Sequence, residues 1–323
     1  MFKNYFKGES LNIIFFGSGK FAIPALKYLL NRENIFLKAV ITQPDRKAKR
    51  GMHLKPTEVG EFIAQTNFKG EVLKPEDINS KESILKIESF SPDIFVVASY
   101  GSIISKDVLS LASIMPLNIH GSLLPQYRGA APVNWAIING EKETGVTIFK
   151  MNEKLDAGDI IVKQGVTITK SMDAESLESI LADESIDILG KVLESLNRGD
   201  VKLYPQEEGS SYAPKIKRED GLIDWSVSAV DIDNRVRGLS PWPRVFSYID
   251  FKILKIYKVE VDLGDYSDVS VSEITRVENE YFNVKCGVGS LKILELQLEG
   301  KRKMTAKEFL LGRKIECGMK LGA

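Results

Sequence analysis

The sequence predicts an α/β protein, a doubly wound, Rossmann-like parallel sheet domain followed by a small OB-like β-barrel domain. Three observations carry that expectation. The first half alternates short apolar runs with amphipathic stretches of helix length, the pattern of strands joined by crossover helices. The last third strings together strand-like segments with little helix between them, which suits a small closed barrel. The chain has 323 residues, 43% hydrophobic and 27% charged. That is ordinary globular composition, and at roughly 150 residues per domain it implies two. The boundaries expected are 1–200 for the sheet domain, 201–217 for a linker and 218–323 for the barrel.

Residues 11–16 (LNIIFF) read as a buried strand, 17–19 as a tight turn and 21–30 as the helix that follows. A second strand is expected at 35–42, a helix at 57–66, and a strand at 94–98 (IFVVA) between Pro92 and Gly101. Residues 103–111 suit a helix, and 116–119 and 145–149 are short strands. From 172 to 196, Leu177, Ile180, Leu181, Ile186, Ile188, Leu189, Val192 and Leu193 recur at helical spacing. Acids at Asp173, Glu175, Glu178, Asp183, Glu184 and Asp187 fill the remainder, as on a solvated helix face. Periodicity is lost from 200 to 217, where Gly209, Ser210, Ser211 and Pro214 suggest the linker. A helix at 229–239 then precedes strands at 244–249, 252–261, 271–277, 281–286 and 290–296.

Lys and Arg total 44, as do Asp and Glu, so a nucleic acid or anionic surface would have to be held by local patches. No run approaches the ~20 apolar residues of a membrane span, and the start lacks a signal peptide's pattern. A cytoplasmic monomer without membrane contact is expected. Cys286 and Cys317 stand far apart, outside any C-x-x-C spacing, so no metal site is expected. His53 and His120 are the two histidines.

The segment Gly17-Ser18-Gly19-Lys20-Phe21-Ala22 formally satisfies the dinucleotide fingerprint. The second strand, however, runs into Thr42-Gln43-Pro44-Asp45-Arg46 instead of ending on an acid for a ribose. A sharp turn made possible by glycine is the preferred reading. The densest polar stretch is 118–159. Asn118 and His120 alternate at a strand end and so share a face, and Asp156 follows the 145–149 strand in a glycine-bearing loop. Singly, such residues are ordinarily turn or packing residues. Together they suit addition to a carbonyl: an amide donor for the oxyanion, an imidazole to move a proton and a carboxylate to orient it.

The stretch 118–159 resembles the signature of folate-dependent formyltransferases, in which an Asn, His and Asp set and an SLLP loop match Asn118, His120, Asp156 and Ser122, Leu123, Leu124 and Pro125. TQPDRKAKRGMHL at 42–54, IDW at 223–225, SPWPR at 240–244 and GKRKMTAKEFLLG at 300–312 extend the similarity over nearly the whole chain. They favour family members that act on initiator methionyl-tRNA. GSGKFA departs from the family's more usual G-T-P-x-F-A, which touches only the shape of that turn.

The resemblance implies 10-formyltetrahydrofolate as formyl donor, with no metal. Asn118, His120 and Asp156 would be the catalytic set. The SLLP loop would bind the folate, apolar side chains covering its faces and backbone groups reading its edge. It also implies a tRNA grip by Arg46, Lys47, Lys49 and Arg50 in the first basic loop and by Lys301, Arg302 and Lys303 near the C-terminus. The competing expectation is a sugar-nucleotide N-formyltransferase using the same donor.

Overall fold

The computed structural model describes residues 10–47, 54–264, 266 and 268–322. Its chain divides into two compact units: one of residues up to 132, 143–167 and 178–213, the other of 133–142, 168–177 and 214 onward. The stretch expected to be a linker therefore packs into the first unit as far as Ala213, and short segments around residues 138 and 172 join the second.

In chain order the elements are β1 (Leu11–Gly17), α1 (Ile23–Leu30), β2 (Ile35–Ile41), the two-residue strands β3 (Arg46–Lys47) and β4 (Leu54–Lys55), α2 (Glu58–Ala64), β5 (Glu71–Leu73), α3 (Lys81–Glu88), β6 (Ile94–Ala98), α4 (Lys106–Leu109) and β7 (Met115–His120). There follow β8 (Arg128–Gly129), α5 (Pro132–Ile138), β9 (Glu143–Lys150), β10 (Ile160–Thr167), α6 (Ala174–Arg198) and β11 (Tyr212–Ala213).

The first unit is built on a sheet of order β10-β9-β7-β6-β1-β2-β5. From β5 to β7 all neighbours are parallel. Beyond β7 the sheet is antiparallel, β9 to β7 and β10 to β9, an edge that the strand and helix alternation of the sequence does not mark. The reason is that β9 is buried on both faces, so its apolar run carries no mark of direction. β10 is a half-exposed edge strand with Lys163 and Gln164 in its middle, too polar to read as a strand. The chain runs outward from β1 to β2 and β5, then returns to β6 on the other side. At such a reversal the loops at the carboxyl ends of the strands splay apart, and that edge is where a ligand can enter.

Ile13, Ile14, Phe15 and Phe16 of β1 and Ile94, Phe95 and Val96 of β6 are fully buried. Phe16 packs edge-to-face on Phe95 at 5.0 Å and on Tyr100 at 5.5 Å. The helices begin at side-chain caps: Thr57, Ser80 and Ser105 each accept the backbone N–H three residues on, which satisfies donors the helix cannot use.

The Gly17 turn explains why the dinucleotide fingerprint is only formal. The N–H groups of Ser18 and Gly19 both donate to the Ser99 carbonyl, at 3.0 and 3.2 Å. They are therefore committed to protein where a pyrophosphate would need them. A Cβ on Gly17 would come within 2.6 Å of the Phe15 ring and 2.9 Å of the Ala22 methyl. The glycines serve close packing beside β6.

The second unit holds α7 (Ala229–Gly238), β12 (Val245–Ile249), β13 (Lys252–Asp262), β14 (Ile274–Val277), β15 (Phe282–Lys285), β16 (Ser290–Leu298), β17 (Met304–Thr305) and α8 (Ala306–Gly312). Its sheet is antiparallel, in the order β12-β13-β16-β15-β14, with β17 on β16. Register shifts between Ile256 and Val259 mark bulges, which bend a sheet of this length toward a barrel. Among the described residues no ladder joins β12 to β14. Leu254, Ile256, Phe282, Val284, Leu291, Ile293 and Leu296 form its buried face.

Gly17→Ala should lower unfolding stability by about 1–3 kcal/mol, the ordinary cost of overpacking. Denaturant unfolding checks it; an unchanged midpoint would show that the turn has room.

Candidate active site

The polar residues expected at the strand ends come together in the first unit. Asn118 and His120 close β7, where alternation puts both on one face. Asp156 sits in the loop after β9. Its carboxylate Oδ1 accepts from Asn118 Nδ2 at 3.3 Å and its Oδ2 accepts from the Gly129 N–H at 2.8 Å. The His120 ring places Nδ1 3.7 Å from Asp156 Oδ2, a distance for charge attraction but beyond a hydrogen bond. His120 and Asp156 are only 7% and 9% exposed, so their interaction is little screened by solvent.

His120 Nε2 lies 2.9 Å from the Tyr127 carbonyl oxygen. A carbonyl only accepts, so Nε2 carries the hydrogen, and Nδ1 is the nitrogen that takes up or gives away a proton beside Asp156. Asn118 uses one amide hydrogen on Asp156, and the second hydrogen of the same nitrogen is a donor for an incoming oxygen. The site thus brings together an amide donor, an imidazole and a carboxylate that bonds the first and faces the second.

Two site residues hold left-handed backbone conformations unusual for a side chain: Tyr127 at φ 61° and Asp156 at φ 47°. Such conformations cost about 1–3 kcal/mol each and persist where surrounding contacts dictate them. Here the contacts come from the segment 206–213. Ser211 Oγ accepts the Tyr127 N–H at 2.8 Å, and the Arg128 N–H donates to the Ser211 carbonyl at 2.9 Å. Gln206 Nε2 donates to the carbonyls of Asp156 and Gly158, both at 2.8 Å.

In the loop proposed for folate, the four residues divide. Ser122 and Leu124 are fully buried, and Leu123 and Pro125 retain partial exposure. Ser122 Oγ donates to the Gln126 carbonyl at 2.6 Å. Thr147 of β9 ties the loop down: its Oγ1 accepts the Leu124 N–H at 3.1 Å and donates to the Ser122 carbonyl at 2.6 Å. Lys163 Nζ donates to the Leu124 carbonyl at 3.1 Å. The backbone of Leu124 is therefore occupied within the protein, and Leu123 and Pro125 are the residues with surface to offer a planar ligand.

Of the basic residues, Arg46 and Lys47 pair with Lys55 and Leu54 in the β3–β4 ladder, and Arg46 is exposed. Lys49, Arg50 and His53 lie outside the described residues. Lys301, Arg302 and Lys303 are exposed in the second unit. Arg302 pairs with Glu308 at 2.6 Å and Lys303 with Glu295 at 2.5 Å, and Lys303 and Arg244 both lie over the Tyr257 ring, at 5.0 and 4.8 Å. Among the described residues no group of three or more His, Cys, Asp and Glu could hold a metal ion, and no helix is long and apolar enough to cross a membrane.

The residues that sequence reasoning missed are Thr147, Lys163, Gln206 and Ser211. Thr147 is one polar residue in an apolar run, and its burial is the signal that marks a structural role; the others carry no local signal.

A parallel sheet with a strand-end amide, imidazole and carboxylate, followed by an antiparallel domain, defines a class of group-transfer enzyme. Residues 11–193 match the Formyl transferase family and residues 215–314 match its C-terminal domain, and the chain belongs to that family. The chain is 41% identical to the methionyl-tRNA formyltransferase of Caldanaerobacter subterraneus subsp. tengcongensis over 312 residues, 95% of this chain and 99% of that one. It is 43% identical to the methionyl-tRNA formyltransferase of Halothermothrix orenii over 318 residues, 97% of this chain and all of the other. An N-formyltransferase from Helicobacter canadensis, solved with folinic acid and dTDP-3-aminofucose, has a similar fold (TM-score 0.62, 20% identity, 91% of this chain and 100% of that one).

Thr147→Val, which keeps the shape and removes the hydroxyl, leaves a buried N–H and a buried carbonyl without their partner. We expect a stability loss of about 1–3 kcal/mol in denaturant unfolding; a neutral result would mean that the 122–125 loop is held by other contacts.

Proposed function

We propose that this enzyme moves a formyl group from 10-formyltetrahydrofolate to the α-amino group of methionine on initiator methionyl-tRNA, the reaction that readies this tRNA to start translation. What carries the reading is an identity of 41% that runs across both units over 95% of the chain, combined with the Asn118, His120 and Asp156 constellation. The likeness to the sugar N-formyltransferase, at 20% identity, speaks for the fold alone.

The donor supplies an activated one-carbon acyl group. The residues supply the rest. Leu123 and Pro125 offer apolar surface to a flat ring. Asn118 aims an amide hydrogen at the position where oxygen gains negative charge, the place where a fixed donor lowers a barrier most. His120, held through Nε2 by Tyr127, exchanges a proton at Nδ1. Asp156 keeps Asn118 in place and sets its carboxylate 3.7 Å from that nitrogen. The neutral amine attacks the formyl carbon, the bond from that carbon to the folate nitrogen breaks, and the proton the amine sheds passes by way of the buried His120–Asp156 pair to the departing nitrogen.

The basic loop from Arg46 and the Lys301, Arg302 and Lys303 patch form the proposed tRNA contacts. Exposed ion pairs such as Arg302–Glu308 are weak in water, so a phosphate can replace the acid at little cost.

The deciding assay offers 10-formyltetrahydrofolate with methionyl-tRNA or with an amino-sugar nucleotide and identifies the formylated amine. Methionyl-tRNA is expected; formylation of the sugar would overturn the reading. His120→Ala and Asp156→Asn should each cut turnover by about 100-fold or more while donor binding survives, and near-normal rates would remove the roles given to these residues. Apparent tRNA affinity should fall steeply between about 50 and 200 mM salt. A flat response would argue against phosphate contacts by the two patches.

A further inference from the structure

The residue that fixes the geometry of this site lies far from it in sequence. Gln206 sits in a stretch without periodic pattern, yet its side-chain amide is fully used. Nε2 donates to the carbonyls of Asp156 and Gly158, both at 2.8 Å. Oε1 accepts from Arg128 Nε at 3.0 Å and Nη2 at 2.6 Å. An amide has two hydrogens and one oxygen with two lone pairs, and all four positions are filled. Its orientation is also determined, because carbonyls demand the nitrogen and a guanidinium demands the oxygen.

This amide ties together the two loops that bear on the Asp156 carboxylate. On one side it grips the peptide of Asp156 itself, where φ is 47°, and that of Gly158, where a Cβ would stand 1.8 Å from the Lys150 carbonyl. On the other it holds Arg128, whose neighbour Gly129 donates its N–H to Asp156 Oδ2 at 2.8 Å. The backbone of Asp156 and the loop that carries the donor to its carboxylate are thus linked by a single side chain. The left-handed backbone at Asp156 carries a steric cost that these contacts help to hold, and a shift of about 1 Å at a catalytic group can cost about 100-fold.

We infer that Gln206, anchored by Arg128, is a positioning residue that acts on turnover through Asp156. The inference rests on the proposed role of Asp156 in formyl transfer. It predicts a loss in kcat with KM for donor and tRNA kept, because Gln206 offers no group to either substrate. It also predicts that the loss disappears once Asp156 cannot act.

The test measures formyl transfer from 10-formyltetrahydrofolate to methionyl-tRNA by the full chain, with Gln206→Leu and Gln206→Glu made in the wild-type and Asp156→Asn backgrounds. Gln206→Glu retains the Arg128 pair, which supports folding, but sets a carboxylate oxygen against two carbonyl oxygens. Both variants should lower kcat by about 10- to 100-fold in the wild-type background. In the Asp156→Asn background the further loss should be less than about twofold, as expected of residues that act as a unit. Equal losses in both backgrounds, a change confined to KM, or near-normal kcat for the Glu variant would overturn the inference. Normal turnover of Asp156→Asn by itself would instead remove the catalytic role of Asp156, and the positioning role with it.

Discussion

The hydrogen-bonded setting of the Asp156 carboxylate is the constraint on which this site depends. One oxygen takes the Asn118 amide, the other takes the Gly129 N–H and faces His120 at 3.7 Å. The arrangement joins three pieces of chain: the end of β7 with Asn118 and His120, β8 with Gly129, and the loop after β9 that carries Asp156 itself. Burial makes the arrangement consequential, since a carboxylate removed from water must be satisfied by the protein. The left-handed backbone at Tyr127 and Asp156 is best understood as a consequence, local strain held because the surrounding bonds fix it.

The sheet provides the platform. Five parallel strands with fully buried residues in β1 and β6 place the strand ends rigidly, and the order reversal between β1 and β6 lies one strand away from β7. Antiparallel β9 and β10 then bring Thr147 and Lys163 under the 122–125 loop. The same residues that finish the sheet thereby shape the loop proposed for the donor. Chemistry sits in the loops, and precision comes from the strands beneath them.

The balanced charge of the chain is an average over features with different fates. Of the acidic stretch, Glu175, Asp183 and Asp187 are exposed on α6, Glu178 and Glu184 are half-buried there, and Asp173 stands before the helix and accepts from Ser240. Much of the C-terminal basic set is already paired with acids, Arg302 with Glu308 and Lys303 with Glu295, and Arg313 with Asp250. A count of lysines and arginines along the sequence therefore overstates the positive field that a phosphate backbone would meet. What it identifies correctly is where exchangeable cations stand on the surface.

The sequence alone determined what is local. Apolar runs bounded by Gly and Pro located β1, β2, β6 and β7, helical spacing located α6 and α7, and the period of two put Asn118 and His120 on one face. It also weighed against the dinucleotide reading, because no acid ends β2, and the N–H groups spent on Ser99 agree with that. Tertiary structure decided the rest. The direction of β9 is invisible in a strand buried on both faces, and the polarity of β10 hid it as an edge. Gln206 lies 50 residues from Asp156 and 78 from Arg128, within a segment whose composition reads as a linker. The role inferred for it depends on four hydrogen bonds to three residues that only folding assembles, and no pattern of neighbouring residues encodes contacts made at such separations.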